Sequence, residues 1–513
     1  MSATAPVTEH QQHNRTFFGH PPMLASLFTV EMWERFSFYG MQALAIYYLY
    51  YSIDKGGLGI PEEAATGAMG AYGATVYLMA ILGGILGDRV LGPERTLFYS
   101  AIGIMAGHIA LAAIPGAAGV LIGLLLVAIG SGCLKSSASV LVGSLYDKDD
   151  PKREAGFTLF YIGINIGALL GPALTGWGWG WLGFHFGFGI AAIGMAAGLI
   201  QYAITRKNLP ESVHEVTAPF TPRQNGILAG TLLSIALIIF LLVTMGWITT
   251  SNISTWVVSA VGIGAVALFV QLLTAKNVTS DERSRVWAFI PLWIANAIFW
   301  ALYQQQFTFI PVYSEKRLDW HILGMDLPPT LVNSLAPIFV ILLGSGFAAM
   351  WTKLGDRQPR TTTKFSLALV TIGPAYWVFL TQVGVPKVAV YWMVIIMFIF
   401  TVAELTISPT GMALTTRLAP ETYKVNMIAL YWTSLAMGNA FAGWCAQFYS
   451  QDTEVPYFTY VGAVSVIAGI VLFLCRAPVQ KLMRGVNYNA HSAAGTFTGG
   501  CIATATWRYA HHV

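Results

Sequence analysis

Fourteen stretches of predominantly apolar residues follow one another along the chain, at about 24–51, 64–87, 96–114, 119–145, 155–177, 183–204, 226–246, 254–275, 286–312, 329–352, 364–383, 387–415, 424–449 and 457–475. Each is close to or above the ~20 residues that a helix needs to cross the ~30 Å hydrocarbon core of a bilayer. None shows the two-residue alternation of a barrel strand. A backbone immersed in lipid must satisfy its own N–H and C=O groups, and a helix does so within one segment. The pattern predicts an all-α membrane protein with 14 transmembrane helices.

Polar positions inside these stretches are few. The first stretch contains Glu31, Glu34 and Arg35. At helical spacing, 31, 34, 35, 38 and 42 share one face, and Glu31 precedes Arg35 by four residues, the favourable order for an ion pair. Lys135 stands deep in the fourth stretch, about ten residues from its end near Tyr146, too far for a snorkelling lysine. Glu404 stands alone in the twelfth, with Ser408 one turn on. A charge at the bilayer centre costs at least ~2.5–3.5 kcal/mol, so such groups face a protein interior or a wet cavity and mark a functional site.

Composition agrees. Of 513 residues, 55% are hydrophobic and 10% charged, against ~25% charged in ordinary soluble domains. The net charge of +4 matters less than its distribution. An even number of spans puts both ends of the chain on one side, and 22 of the 28 Lys and Arg residues fall on that side. The positive-inside rule makes it the cytoplasm. Cys133, Cys445, Cys475 and Cys501 have no metal spacing and suggest no disulfide framework. Residues 1–20 lack the pattern of a cleaved leader, so the first helix is expected to be retained.

The chain also repeats itself. Leu86-Gly87-Asp88-Arg89 closes the second stretch and Leu354-Gly355-Asp356-Arg357 the tenth. If the pair at 226–275 is an insertion, the echo falls six helices apart, and the core becomes two six-helix halves, one plan for a transporter with its site between the halves. The expected organisation is an N-terminal cytoplasmic segment (1–23), a six-helix bundle (24–205), a linker with two inserted helices (206–283), a second six-helix bundle (284–477) and a cytoplasmic tail (478–513). The inserted pair has no charge between Arg223 and Lys276 and reads as lipid-facing scaffold.

Gly83-Gly84-x-x-x-Asp88-Arg89-x-x-Gly92-x-x-Arg95 resembles the loop signature of the major facilitator superfamily. Glu31-x-x-Glu34-Arg35-Phe36 and Phe160-Tyr161-x-x-Ile164-Asn165-x-Gly167 resemble signatures of the proton-dependent oligopeptide transporters (POT/PTR), as does Ala403-Glu404-Leu405-x-x-Ser408-Pro409. The resemblance covers roughly 24–475. It implies a major-facilitator-type pair of six-helix bundles and a proton-coupled symporter that imports di- and tripeptides by alternating access. It implies a multi-pass protein of the bacterial inner membrane, working as a monomer, with small peptides, protons and lipid as partners, no nucleic acid and no cofactor beyond the coupling proton.

The resemblance also assigns roles. Glu31, Glu34, Arg35 and Lys135 would couple protons, Lys135 also holding the peptide carboxylate. Glu404 would anchor the peptide amine. Tyr39, Tyr77, Tyr161, Asn165 and Trp432 align with cavity positions, which Trp300 and Ser408 would join. Asp88, Arg89, Asp356 and Arg357 would gate motion at the cytoplasmic face without touching substrate. Gln42 stands where many relatives have an arginine, Gln304 where they have a glutamate, Ala336 where they have an asparagine and Phe38 where they have a tyrosine. The paired loss of a cation and an anion keeps the balance of charge and leaves Lys135 as the cation expected to face a carboxylate. Another small zwitterion, a drug or an anion is the alternative cargo. A channel would leave the repeat unexplained, and an intramembrane enzyme would need a nucleophile with its base, or metal ligands, which the spans do not display.

Overall fold

The structure, a computed structural model, describes residues 16–147, 150, 152–216, 218–322, 324–484 and 486. Residues 1–15 of the expected N-terminal segment, residues 487–513 of the expected tail, and the side chains of Asp356 and Pro409 lie outside the described residues. The helices are α1 (Pro22–Tyr50), α2 (Glu62–Arg89), α3 (Pro93–Ala113), α4 (Gly116–Gly143), α5 (Arg153–Leu182), α6 (Phe184–Thr205), α7 (Pro222–Thr244), α8 (Ile253–Thr274), α9 (Ser280–Tyr303), α10 (Phe309–Arg317), α11 (Val332–Leu354), α12 (Thr361–Leu380), α13 (Val390–Leu418), α14 (Lys424–Ala446), α15 (Glu454–Leu474) and the short α16 (Arg476–Leu482). Twelve spans among the described residues are long and apolar enough to cross a membrane. The two long helices outside that set are α1 and α14. Their buried faces carry the Glu31, Glu34 and Arg35 cluster, and Thr433, Ser434 and Asn439, respectively.

Two hydrophobic cores organise these helices. One gathers residues of α1–α6 and of the segment after α6, from Met23 to Val213, with Val312 from α10 added. The other gathers residues of α9–α15, with Ala80 from α2 and Ala265 and Leu272 from α8 added. A small third cluster of Ala74, Val261, Ala297, Ala436, Met437 and Ala440 joins α2, α8, α9 and α14 across the boundary. Within the first half, α1 and α5 meet backbone to backbone: a Cβ on Gly167 would lie 2.2 Å from the Met32 carbonyl oxygen. Only glycine permits that approach, and Gly163 and Gly171, one turn to either side, meet α1 in the same way.

Two expectations need correction. The inserted pair is not uniform. α7 buries no residue, but α8 buries Ser254, Val261, Ala265 and Leu272. Positions 261, 265 and 272 lie on one helical face, and that face docks on α2, α9 and α14. The ninth apolar stretch, 286–312, is not one helix. It breaks at the tight turn Gln304–Phe307 and at Thr308, whose φ of −122° and ψ of −90° are not helical. Pro311 has no N–H for the Phe307 carbonyl four residues back, so the helical ladder cannot close here. Neighbouring helices serve the turn instead. Asn333 Nδ2 donates to the Gln306 carbonyl at 2.6 Å, and the Tyr457 hydroxyl donates to Gln305 Oε1 at 2.8 Å. Broken backbone at membrane depth is tolerated where protein groups satisfy it in this way.

The halves are tied on the side where α1 ends and α2 begins. Tyr47 donates to the Pro311 carbonyl at 3.1 Å, Tyr51 to Glu315 at 3.1 Å and Thr330 to the Pro172 carbonyl at 2.9 Å. Ser334 donates to the Leu169 carbonyl at 2.8 Å, and Glu62 pairs with Lys316.

Candidate functional site

The charged face of α1 points inward. Glu31, Glu34 and Arg35 are 2%, 0% and 3% exposed. Arg35 Nε donates to Glu31 Oε1 at 2.8 Å and lies 2.9 Å from Glu34 Oε2. The other oxygen of Glu34 accepts from the Ser131 hydroxyl of α4 at 2.5 Å. One guanidinium nitrogen is thus ion-paired with two carboxylates, and Arg35 Nη2, Glu31 Oε2 and Glu34 Oε2 have no hydrogen-bond partner among the described residues.

Lys135 lies one turn beyond Ser131 on α4 and is 6% exposed. Its ammonium sits 5.0 Å from the ring centre of Phe38 and 4.7 Å from that of Tyr77. Among the described residues no carboxylate lies within ion-pairing distance of it. Ring faces attract a cation, by ~2 kcal/mol or more when desolvated. They do not neutralise it, so the ammonium has no anionic partner of its own among the described residues.

The second half supplies the opposite wall. Glu404 of α13 accepts a 2.5 Å hydrogen bond from the Tyr303 hydroxyl at the end of α9. Trp300, one turn back from Tyr303, is buried against it edge to face with ring centres 5.5 Å apart. Gln304 opens the broken turn and is buried, as is Gln42 on α1. Two aromatic stacks cross the boundary. Tyr39 of α1 lies on Phe307 with centres 5.7 Å apart, and Tyr77 of α2 lies on Trp432 of α14 with centres 6.0 Å apart. The ionic groups of the two halves thus flank one region between the bundles, the chamber, which these stacks bridge.

The other candidates divide. Asn165 faces inward but spends one N–H on the Tyr161 carbonyl at 2.9 Å, the i−4 position of its own helix. Ser408 and Tyr161 are half-buried. Asp88 and Arg89 lie away from the chamber at the end of α2. Their carbonyls accept from Ala218 and Phe220 of the linker after α6, and the Arg89 guanidinium stacks on the Phe220 ring at 5.8 Å. The first Asp-Arg loop clasps a linker there. Arg357 of the second loop is exposed. Ser131 and Tyr303 hold the two carboxylates and were not among the sequence candidates for the site. Ser131 had a signal in sequence, a small hydroxyl one turn before the buried lysine. Tyr303 had a weaker one, an aromatic one turn beyond Trp300.

Residues 94–467 match the sequence model of the POT family. The chain is 37% identical over 489 residues to the di-/tripeptide transporter of Lactococcus lactis subsp. cremoris, covering 92% of this chain and 98% of that one. It is 31% identical over 492 residues to the peptide transporter YePEPT of Yersinia enterocolitica, covering 91% and 96%. It superposes on the crystal structure of the peptide transporter POT in complex with sulfate with a TM-score of 0.88 and 40% identity, covering 92% and 97%. A POT transporter crystallised with 5-aminolevulinic acid superposes with a TM-score of 0.85 at 32% identity, covering 90% and 98%. With its sequence and fold matched along most of the chain, this protein belongs to the POT family.

Proposed function

We propose that the protein is a proton-coupled symporter that carries di- and tripeptides into the cytoplasm by alternating access. One observation carries the reading: a single chamber has an unpaired ammonium, Lys135, on one wall and a carboxylate held by a hydroxyl, Glu404, on the other. That is the complement of a zwitterion. The peptide carboxylate meets Lys135 and its amine meets Glu404. The aromatic stacks of Tyr39 and Phe307 and of Tyr77 and Trp432 give side-chain-tolerant apolar walls between them. The names of the Lactococcus and Yersinia relatives support the same substrate class.

Coupling rests on α1. Protonation of the Glu31 and Glu34 pair loosens Arg35, which they share, and the halves are then free to rock. One proton falling through 100 mV supplies ~2.3 kcal/mol, enough for roughly fiftyfold accumulation. The distribution of Lys and Arg supports cytoplasmic termini in a bacterial inner membrane. The ties from α1, α2 and α5 to α10 and α11 then close the outer face. Proteoliposomes carrying the protein should take up labelled dialanine, and an inward proton gradient should raise the steady-state level well above equilibrium. Glu31→Gln should abolish the accumulation. A Glu31→Gln protein that still concentrates the peptide would refute the coupling role.

A further inference from the structure

We propose that Ser131 is a positioning residue for Glu34, holding that carboxylate in register with Arg35 both before and after it takes a proton. The proposal rests on the symport reading above. Ser131 is 0% exposed, and its hydroxyl donates at 2.5 Å to Glu34 Oε1. Three other serines near it satisfy themselves locally, Ser37 donating to the Glu34 carbonyl, Ser136 to that of Cys133 and Ser144 to that of Leu141, while Ser26 bonds across to Thr205 of α6. Like Ser26, Ser131 reaches to another helix. It has no room to retreat, because α4 touches α2 by its backbone at the next residue. A Cβ on Gly132 would lie 2.4 Å from the Val76 carbonyl oxygen.

Glu34 is thus engaged on both oxygens, by the charge of Arg35 at 2.9 Å on one and by the Ser131 hydrogen bond on the other. The two grips respond differently to a proton. A guanidinium is a donor only and favours the charged carboxylate, whereas a hydroxyl both donates and accepts. When a proton adds to Glu34 Oε1, the new O–H can donate to Ser131 Oγ along the contact that existed before. Arg35 is released and the side chain stays where it was. The titratable groups facing Glu34 are Arg35, Glu31 and Tyr39 on its own helix, Lys135 on α4 and Tyr72 on α2. Among the described residues α5 and α6 add none that is recorded as acting on it.

The test compares Ser131→Ala and Ser131→Thr with the unaltered protein in proteoliposomes. Dialanine counterflow, which needs no net proton movement, is measured beside gradient-driven uptake across a range of external pH. For Ser131→Ala the ratio of driven uptake to counterflow should fall about tenfold, the scale of one hydrogen bond to a charged group. Its pH of half-maximal driven uptake should move upward, because the lost donor favoured the unprotonated carboxylate. Ser131→Thr, which keeps the hydroxyl, should recover both. An unchanged ratio and pH profile in Ser131→Ala overturns the proposal. So does a parallel loss of counterflow and driven uptake that threonine does not rescue, which marks a packing role. Absence of counterflow from the unaltered protein is the distinct failure of the peptide-symport reading itself, and the proposal falls with it.

Discussion

The two walls of the chamber handle buried charge differently. On the first half, Glu31, Glu34, Arg35 and Lys135 comprise two anions and two cations, and the arginine is bonded to its carboxylates at 2.8 and 2.9 Å. On the second half, Glu404 has a tyrosine hydroxyl and, among the described residues, no cation within ion-pairing distance. The contrast is local, because the second half builds a buried ion pair elsewhere, Arg317 with Glu454 at 3.3 Å. A wall that balances itself can store and release a proton without a ligand. A wall with one uncompensated carboxylate is incomplete until a cation arrives, and a substrate amine is such a cation. The first arrangement suits coupling and the second suits recognition.

The strongest way to break this comparison is Glu404→Gln. If the second wall recognises an amine by charge, affinity for dialanine should fall at least ~30-fold, since removing one partner of a buried charge pair costs about 2–5 kcal/mol. Thermal stability in detergent should hold or rise, because the substitution removes a half-buried carboxylate that has no cation beside it among the described residues. Isothermal binding and a melting curve check both. Unchanged affinity would mean that the amine binds elsewhere, and a large loss of stability would mean that Glu404 serves packing. A smaller effect is expected for Tyr303→Phe, which deletes one hydrogen bond to the carboxylate and leaves the ring stacked on Phe299. Such a bond contributes about 1.5–3 kcal/mol, so affinity should fall roughly tenfold or somewhat more. The two substitutions act through one carboxylate, so the double variant should bind no worse than Glu404→Gln alone. Additive losses would separate Tyr303 from Glu404 and weaken the view of the second wall as a single device.

The contrast between the walls was only half legible in the sequence. Glu31, Glu34 and Arg35 are neighbours on one helix, so spacing alone paired them. The spans were legible because lipid demands length and hydrophobicity, which are local properties of the chain. What was hidden depends on how helices meet. Ser131 reaches Glu34 across 97 residues and Tyr303 reaches Glu404 across 101. The break after Tyr303 did leave a trace, three consecutive glutamines followed by Pro311 within an apolar stretch, but hydropathy averaged it away. Glu94 shows the same limit. It stands in the polar segment between the second and third apolar stretches, yet it is 0% exposed and paired with Arg206 at 2.6 Å, with His214 at 3.3 Å. Those partners come from the far end of α6 and from the linker, and no local pattern announces them.

The smallest expected effect sharpens the comparison by taking the same kind of pairing out of the membrane. In the hairpin between α10 and α11, His321 Nδ1 and Asp326 Oδ1 are 2.8 Å apart and both side chains are largely exposed. The hydrogen bond to Asp326, followed by its charge, holds the imidazole above its ordinary value of 6.5. A raised folded value means that the pair favours the closed hairpin fully below about pH 6.5 and loses that contribution as pH rises through the folded value. Water screens the pair, so the hairpin should fray only slightly at high pH and transport should not respond. The ring resonance of His321, followed by NMR in the full-length protein, should titrate above the ordinary range and return toward it in Asp326→Asn. A titration untouched by that substitution would show that the contact does not persist in solution. Burial of the chamber carboxylates, rather than the mere presence of a partner, would then be what distinguishes the two walls from the surface.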